Sequence, residues 1–435
     1  MKGYLACLGV VLLLAGCCCV AASPEAKSSA YDFSEFREKY PWTVSRELIA
    51  RGVPGSVPET VIDEALVPTY TLPDLFVSQS SDHITTPAAW EGKRRKELLG
   101  LFESEVFGHA PPKPEKIAFE QVDQDLKALD GRATLRRIAI TLREGEGSFT
   151  FHFTLVTPNH SAGKSPVFLF LNYRGICSIQ TKGPLESVSW PVAYALERGF
   201  AMAALDLSVE VDPDKPNATT GLRAFYRKNF PRPAELTWGT LGSWAWAASR
   251  VVDYLVTAPD IDASKIAIVG HSRGGKTVLW AGAQDERIAL VVPNNPGDGG
   301  PTIVRRRFGN TIEVMTGRNP HWFTAKYATY AHREGSMPID QHMLVALVAP
   351  RGYHSGDGSE DLWHDPRGSW IGLVEASKVW ALYGNAKSLH DPMPLVNDLL
   401  IDGPIAYHLR AGGHGLLLFD WKLYFDHADF LFGRR

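Results

Sequence analysis

Ile266-Ala267-Ile268-Val269 leads directly into Gly270-His271-Ser272-Arg273-Gly274-Gly275-Lys276, which sets a serine between two glycines at the end of a β-branched run. Such a segment is a strand, a sharp turn and the start of a helix. The flanking glycines allow the tight turn that lifts a serine hydroxyl clear of a sheet edge, the arrangement called a nucleophile elbow. A helix that begins just beyond the serine directs its N-terminal amides at developing negative charge. The chemistry this implies is acyl transfer through Ser272. A glycine-rich βα turn with a bystander serine is the plainer explanation, so the neighbouring elements decide between them.

Upstream, residues 241–255 carry a helical apolar pattern through Trp244, Ala247, Ala248, Val251, Val252 and Leu255, and 261–265 form a polar turn before the strand. Downstream, 277–283 continue apolar, and Ile288-Ala289-Leu290-Val291-Val292 has the composition of a buried parallel strand. Residues 90–106 form a charged amphipathic helix ended by Gly108 and Pro111-Pro112. Runs at 135–142 and 149–157, separated by Arg143-Glu144-Gly145-Glu146-Gly147, give a hairpin. Residues 166–171 are a central parallel strand, 192–197 a helix, and 200–205 another strand. Antiparallel strands leading into alternating β and α elements, with the elbow between them, define an α/β class: an α/β-hydrolase fold, a three-layer sandwich with a mostly parallel central sheet.

In that fold the triad runs nucleophile, acid, base, so both partners of Ser272 must follow it in the chain. Ile405-Ala406-Tyr407-His408-Leu409 is the last strand pattern, and Arg410-Ala411-Gly412-Gly413-His414-Gly415 is the loop after it. His414 stands where the base belongs, whereas His408 inside the strand points into sheet packing. For the acid, which should follow an earlier strand, the apolar run 345–350 and the short segment after it lead to a turn at 356–366 that holds Asp357, Glu360, Asp361 and Asp365. One of them is expected to orient the imidazole; the rest cap helices or face water.

The chain has 435 residues, 45% hydrophobic and 21% charged, with a formal net charge of −3. That is an ordinary globular composition, and the charge argues against nucleic acid as a partner. Three regions are expected. Residues 1–22 are a signal peptide, with Lys2 as a minimal n-region and an apolar stretch at 5–14. Leu14-Ala15-Gly16-Cys17 within it resembles a lipoprotein signal ending at Cys17. Residues 23–89 are a linker and an N-terminal extension that wraps the domain, and 90–435 are the catalytic domain. Both leader readings imply an exported chain, whether periplasmic, attached to the outer membrane as a lipoprotein, or secreted. Membrane contact is expected only through that lipid anchor. Four of the five cysteines lie in the leader, leaving Cys177 as a buried structural thiol with no partner for a disulfide. The 12 tryptophans serve core packing, with a minority free to line a saccharide cleft. No metal or other cofactor is called for, and a monomer is expected.

Several segments in order resemble bacterial glucuronoyl esterases: Gly270 to Lys276, Trp280-Ala281-Gly282-Ala283-Gln284-Asp285-Glu286-Arg287, Asn294-Asn295-Pro296-Gly297-Asp298-Gly299-Gly300, Asp340-Gln341-His342-Met343 and Glu360-Asp361-Leu362-Trp363-His364-Asp365-Pro366. The resemblance covers roughly residues 90–430. It implies Ser272 as nucleophile, His414 as base, and Arg273 as a cation that adds to the oxyanion hole. It also implies that Lys276, Asn310 and Trp363 contact the glucuronate. The chain departs from the family in three places. Asn295 stands where many relatives carry the catalytic glutamate, which passes the acid role to the later loop and to Asp361. Asn310 replaces a frequent sugar-binding glutamate, and Asp298 a frequent cysteine.

The activity implied is hydrolysis of esters between glucuronic acid side chains of xylan and lignin alcohols through an acyl-enzyme. The partner is then glucuronoxylan or a lignin–carbohydrate ester. An acetylxylan or other carbohydrate esterase is the neighbouring alternative. A noncatalytic saccharide-binding lipoprotein is the alternative from another class, favoured by Asn295 and Asn310 and opposed by the intact Ser272, Asp361 and His414.

Overall fold

Ten strands form one sheet in a computed structural model that describes residues 33, 36–52, 60–114, 116–161, 163–174, 187 and 189–434. Residues 1–22, expected to be a signal peptide that includes Cys17, and Cys177 lie outside the described residues. In chain order the strands are β1 (Lys116–Lys127), β2 (Ala133–Glu144), β3 (Gly147–Pro158), β4 (Ser165–Asn172), β5 (Ala201–Asp206), β6 (Ile261–His271), β7 (Leu290–Asn294), β8 (Gly352–Gly358), β9 (Leu399–Asp402) and β10 (Ile405–Arg410). Across the sheet the order is β1-β2-β3-β5-β4-β6-β7-β8-β10-β9. The block from β5 to β10 is parallel, and antiparallel strands close both edges.

Strand β4 shows why there are three layers. Val167, Leu169 and Leu171 point to one face, into the cluster that holds Ile266, Ile268, Val278, Leu279 and Trp244. Phe168 and Phe170 point to the other, against Trp421 and Phe425 of the helix Leu418–Leu431. A central parallel strand must be apolar on both faces because helices cover both.

The expected hairpin forms, with β2 paired to β3 from Ala133↔Pro158 to Glu144↔Gly147. Most of the other expected elements stand within a few residues of their sequence positions. The expected polar turn at 261–265 is instead carried within β6: Asp262 Oδ1 accepts from the amide of Ser264 at 3.1 Å, and the β4 register shifts there.

One correction matters for the site. The run 345–350 is not a strand. Residues Gln341–Ala346 are helical, with the Asp340 carboxylate accepting from the amide of Gln341 at the helix start. The strand that precedes the acid loop is β8, whose sequence is Gly-Tyr-His-Ser-Gly-Asp-Gly. It has little intrinsic β preference and forms because β7 and β10 flank it on both sides. The turn at 356–366 is correspondingly shorter, since Gly356, Asp357 and Gly358 belong to β8. Strand β1 was invisible to periodicity because it is an edge strand exposed along nearly its whole length.

Described residues before position 90 contact the sheet and its loops. Tyr40 bridges to Val396, Val61 to Phe308, and the Trp42 indole donates to the Ser359 carbonyl at 3.0 Å.

Candidate active site

Ligand sites of open parallel sheets sit at the carboxyl ends of the strands. Ser272 is there, directly after β6, with φ 57° and ψ −123°. Left-handed backbone on a β-branched or bulky residue would be costly, and serine tolerates it only where neighbours enforce it. Here the Ser272 amide donates to the Asn294 carbonyl at 2.9 Å, and the Ser272 carbonyl accepts from Lys276 at 3.1 Å. Gly270 must lack a side chain because a Cβ there would lie 2.4 Å from the Gly274 carbonyl oxygen.

His414 and Asp361 follow adjacent parallel strands. Beyond β10, Arg410 spans its own loop, donating to the carbonyls of Gly413 at 2.8 Å and Gly415 at 3.0 Å, and so fixes His414 between them. Asp361 follows β8. Its Oδ2 lies 2.7 Å from His414 Nδ1. That contact places the proton on Nδ1 and leaves Nε2 as the atom available to a serine hydroxyl. The His414 ring also packs on His271, the residue before Ser272, with centroids 4.3 Å apart. His414 and Ser272 therefore share one corner of the sheet.

Asn295 has a defined place. Its Nδ2 donates to Asp361 Oδ2 at 2.9 Å, so the residue that cannot supply the charge holds the one that does. Asp361 is buried, and burial alone would raise its pKa. His364 and then His414 overcome this and hold the carboxyl well below the usual range. The other loop acids are occupied elsewhere. Asp365 pairs with Arg306 at 2.8 Å and caps the next helix, Glu360 meets Arg51 at the surface, and Asp357 contacts the Tyr407 hydroxyl inside the sheet. His408 bonds Asp420 at 2.9 Å and His354 at 3.0 Å, in the interior where its strand position put it.

Arg273 lies between two aromatic rings, its guanidinium carbon 4.8 Å from the Tyr173 centroid and 4.6 Å from that of Trp322. Nη1 pairs with Asp214. Asp214 also accepts from His321 at 2.9 Å and the Trp322 indole at 2.8 Å. Burial would raise Asp214, but the His321 bond and the Arg273 charge bring it down to about 2. A helix-start arginine paired to a carboxylate and an oxyanion cation are thus compatible here, because the pair fixes where the cation sits. Sequence reasoning missed Asp214, His321 and Trp322, which come from loops with no periodic pattern. It also passed over His364, although that residue lay within a quoted motif.

Lys276 is buried. Its ammonium donates to the carbonyls of Pro296 and Asp298. Burial pushes the Lys276 amine down and the neighbouring Asp298 carboxyl up. Asn310 is buried with its side-chain oxygen unpaired, and its backbone N–H donates to the Trp363 carbonyl at 2.9 Å. Trp363 is half-buried and faces Arg318. A cavity of about 570 Å³ opens over the base, lined by Leu48, Arg51, Glu360, Trp363, His364 and His414 among others. The ligand atoms of Asp361, His364 and His414 also come within 4.8 Å of one another, as a cation site would require, but both imidazole contacts are already carboxylate hydrogen bonds.

Sheet order, elbow and strand-end loops define an α/β-hydrolase. The family described as "Glucuronyl esterase, fungi" matches residues 140–384. A carbohydrate esterase from an unknown prokaryotic organism is 35% identical over 399 residues, covering 84% of this chain and 91% of its own length. The glucuronoyl esterase from Solibacter usitatus superposes with a TM-score of 0.78 at 33% identity, covering 84% of this chain and 99% of that one. A promiscuous family 15 carbohydrate esterase from the marine bacterial metagenome gives 0.76 at 34%, covering 85% and 99%. The chain belongs to the glucuronoyl esterase family and is a carboxylic ester hydrolase.

Proposed function

We propose that this enzyme hydrolyses esters joining the glucuronic acid side chains of xylan to lignin alcohols, with Ser272 as nucleophile, His414 as general base and Asp361 as its acid. The observation that carries the reading is the 2.7 Å bond between Asp361 and His414, whose ring packs beside the elbow of Ser272. His414 takes the Ser272 proton as Oγ attacks the ester carbonyl, then returns it to the departing alcohol; water repeats the cycle on the acyl-enzyme. Arg273, with amides at the helix start, stabilises the tetrahedral oxyanion. Lys276, Asn310 and Trp363 serve the sugar, and the leader implies an exported enzyme, freely released or anchored at Cys17.

The test is hydrolysis of benzyl glucuronate by the mature chain beside Ser272→Ala. Turnover lost in the variant supports the reading; turnover kept removes Ser272 from it. Acetylated carbohydrate is the second substrate class, favoured by the uncharged Asn310 and by the likeness to an esterase described as promiscuous. Paired rates on a glucuronate ester and on acetylated xylan separate the two.

A further inference from the structure

Asp361 is shared by two histidines, and the triad uses only one of them. His364 Nδ1 lies 2.9 Å from Asp361 Oδ1, the oxygen that His414 does not use. Its ring stacks on that of His414 with centroids 4.2 Å apart and planes 8° from parallel. The loop after β7 makes room for it: at Gly297, with φ 63°, a Cβ would stand 2.5 Å from His364 Cδ2. His414 is thereby held between His364 on one face and His271 on the other.

We propose that His364 is a positioning residue of the triad, fixing the Asp361 carboxylate through Oδ1 and forming one wall of the slot that aligns His414. The inference rests on the triad reading above. A carboxylate bonded only through Oδ2 could rotate about its Cβ–Cγ bond and present either oxygen to the base. With Oδ1 held by His364, and Oδ2 by Asn295 and His414, it cannot rotate. The bond to Oδ1 requires the proton of His364 on Nδ1. Burial pushes His364 down to about 4 despite Asp361 beside it, so near neutral pH it is an uncharged N–H donor. The charged and titratable groups around it are Asp361, His414 and Lys276, with Arg51 and Glu360 at the cavity and His271 beyond His414. A neutral wall leaves His414 free to become an imidazolium in the transition state. The bond that Asp361 accepts from His364 also lowers its basicity and moderates its hold on that imidazolium.

Two substitutions separate the donor from the stack. His364→Phe keeps a ring against His414 and removes the N–H. It is expected to lower kcat on benzyl glucuronate about ten- to a hundredfold, the range for one hydrogen bond to a charged group, with KM nearly unchanged. The acid limb of its kcat/KM profile should move to higher pH, because the released carboxylate holds the imidazolium proton more tightly. His364→Asn restores a donor at the δ position and should recover most of kcat. Wild-type kcat and acid limb in His364→Phe, or equal loss in Phe and Asn variants, would overturn the proposal. If the Phe variant does not fold, His364→Ala against His364→Asn makes the same comparison. Asp361→Asn run in parallel keeps the readings apart: full activity there removes the triad itself, whereas an inactive Asp361→Asn beside an unaffected His364→Phe removes only the role of His364.

Discussion

Ser272 and Asp361, the nucleophile and acid proposed above, lie at the same edge of one sheet but are built in opposite ways. Ser272 sits within a contiguous strand, turn and helix, and its strained backbone is held by its neighbours in sequence and by one carbonyl of β7. Asp361 follows a strand with almost no β-forming character and is held by His364 three residues on and by Asn295 and His414 from two other segments. The elbow is therefore a local backbone problem, and the acid a tertiary one. The consequence is that removing the Ser272 hydroxyl should act through chemistry alone, while substitutions around Asp361 mix chemistry with positioning.

The largest effect tests the local half. Ser272→Ala and His414→Ala should each remove about four or more powers of ten from kcat, and the double variant should fall no further, because the two groups act as one unit. Circular dichroism and thermal melts should stay near wild type. On the acid side, Asp361→Asn should cost about two to four powers of ten in kcat, since it removes the charge and can fix the wrong tautomer. Asp365→Asn should leave kcat nearly intact and lower stability by about 2 kcal/mol, because the buried Arg306 guanidinium then keeps only Glu64 as a charged partner. A kinetic defect in Asp365→Asn with unchanged stability would reverse the assignment of the two carboxylates.

The sequence reveals the two halves unequally for the same reason. β-branched strands, glycine spacing and the histidine in the loop after the last strand are written in consecutive residues, so the elbow, the parallel sheet and His414 are all legible. The acid loop is legible only as a crowd of four carboxylates. Asp361 stands apart from Asp357 and Asp365 once their partners are seen, Tyr407 for the first and Arg306 for the second, and both contacts cross the fold. The run at 345–350 misleads because apolar content is the same in a short buried helix and a buried strand. β8 escapes notice because its neighbours, not its residues, make it a strand.

Arg273 extends the comparison to the oxyanion side. Arg273→Ala should reduce kcat about a hundred- to a thousandfold, as loss of one oxyanion donor does. Asp214→Asn should cost less, about tenfold, if the carboxylate positions the guanidinium without touching substrate. A loss in Asp214→Asn as large as in Arg273→Ala would place Asp214 in direct contact with the reacting groups.

The smallest effect concerns Lys276, where the elbow helix meets the loop after β7. Two of its three N–H donors are taken by the carbonyls of Pro296 and Asp298, which leaves one for a ligand. Lys276→Met keeps the aliphatic stem and removes all three. If the remaining donor reaches the uronate, KM for a glucuronate ester should rise about tenfold with kcat nearly unchanged, because a sugar contact is made about equally in ground and transition states. A simple aryl acetate, which carries no uronate, should be hydrolysed as by the wild type. Equal losses on both substrates would mean that Lys276 braces the 296–298 loop, and through it Asn295 and the Asp361 carboxylate, and would move this residue from the sugar to the acid side of the site.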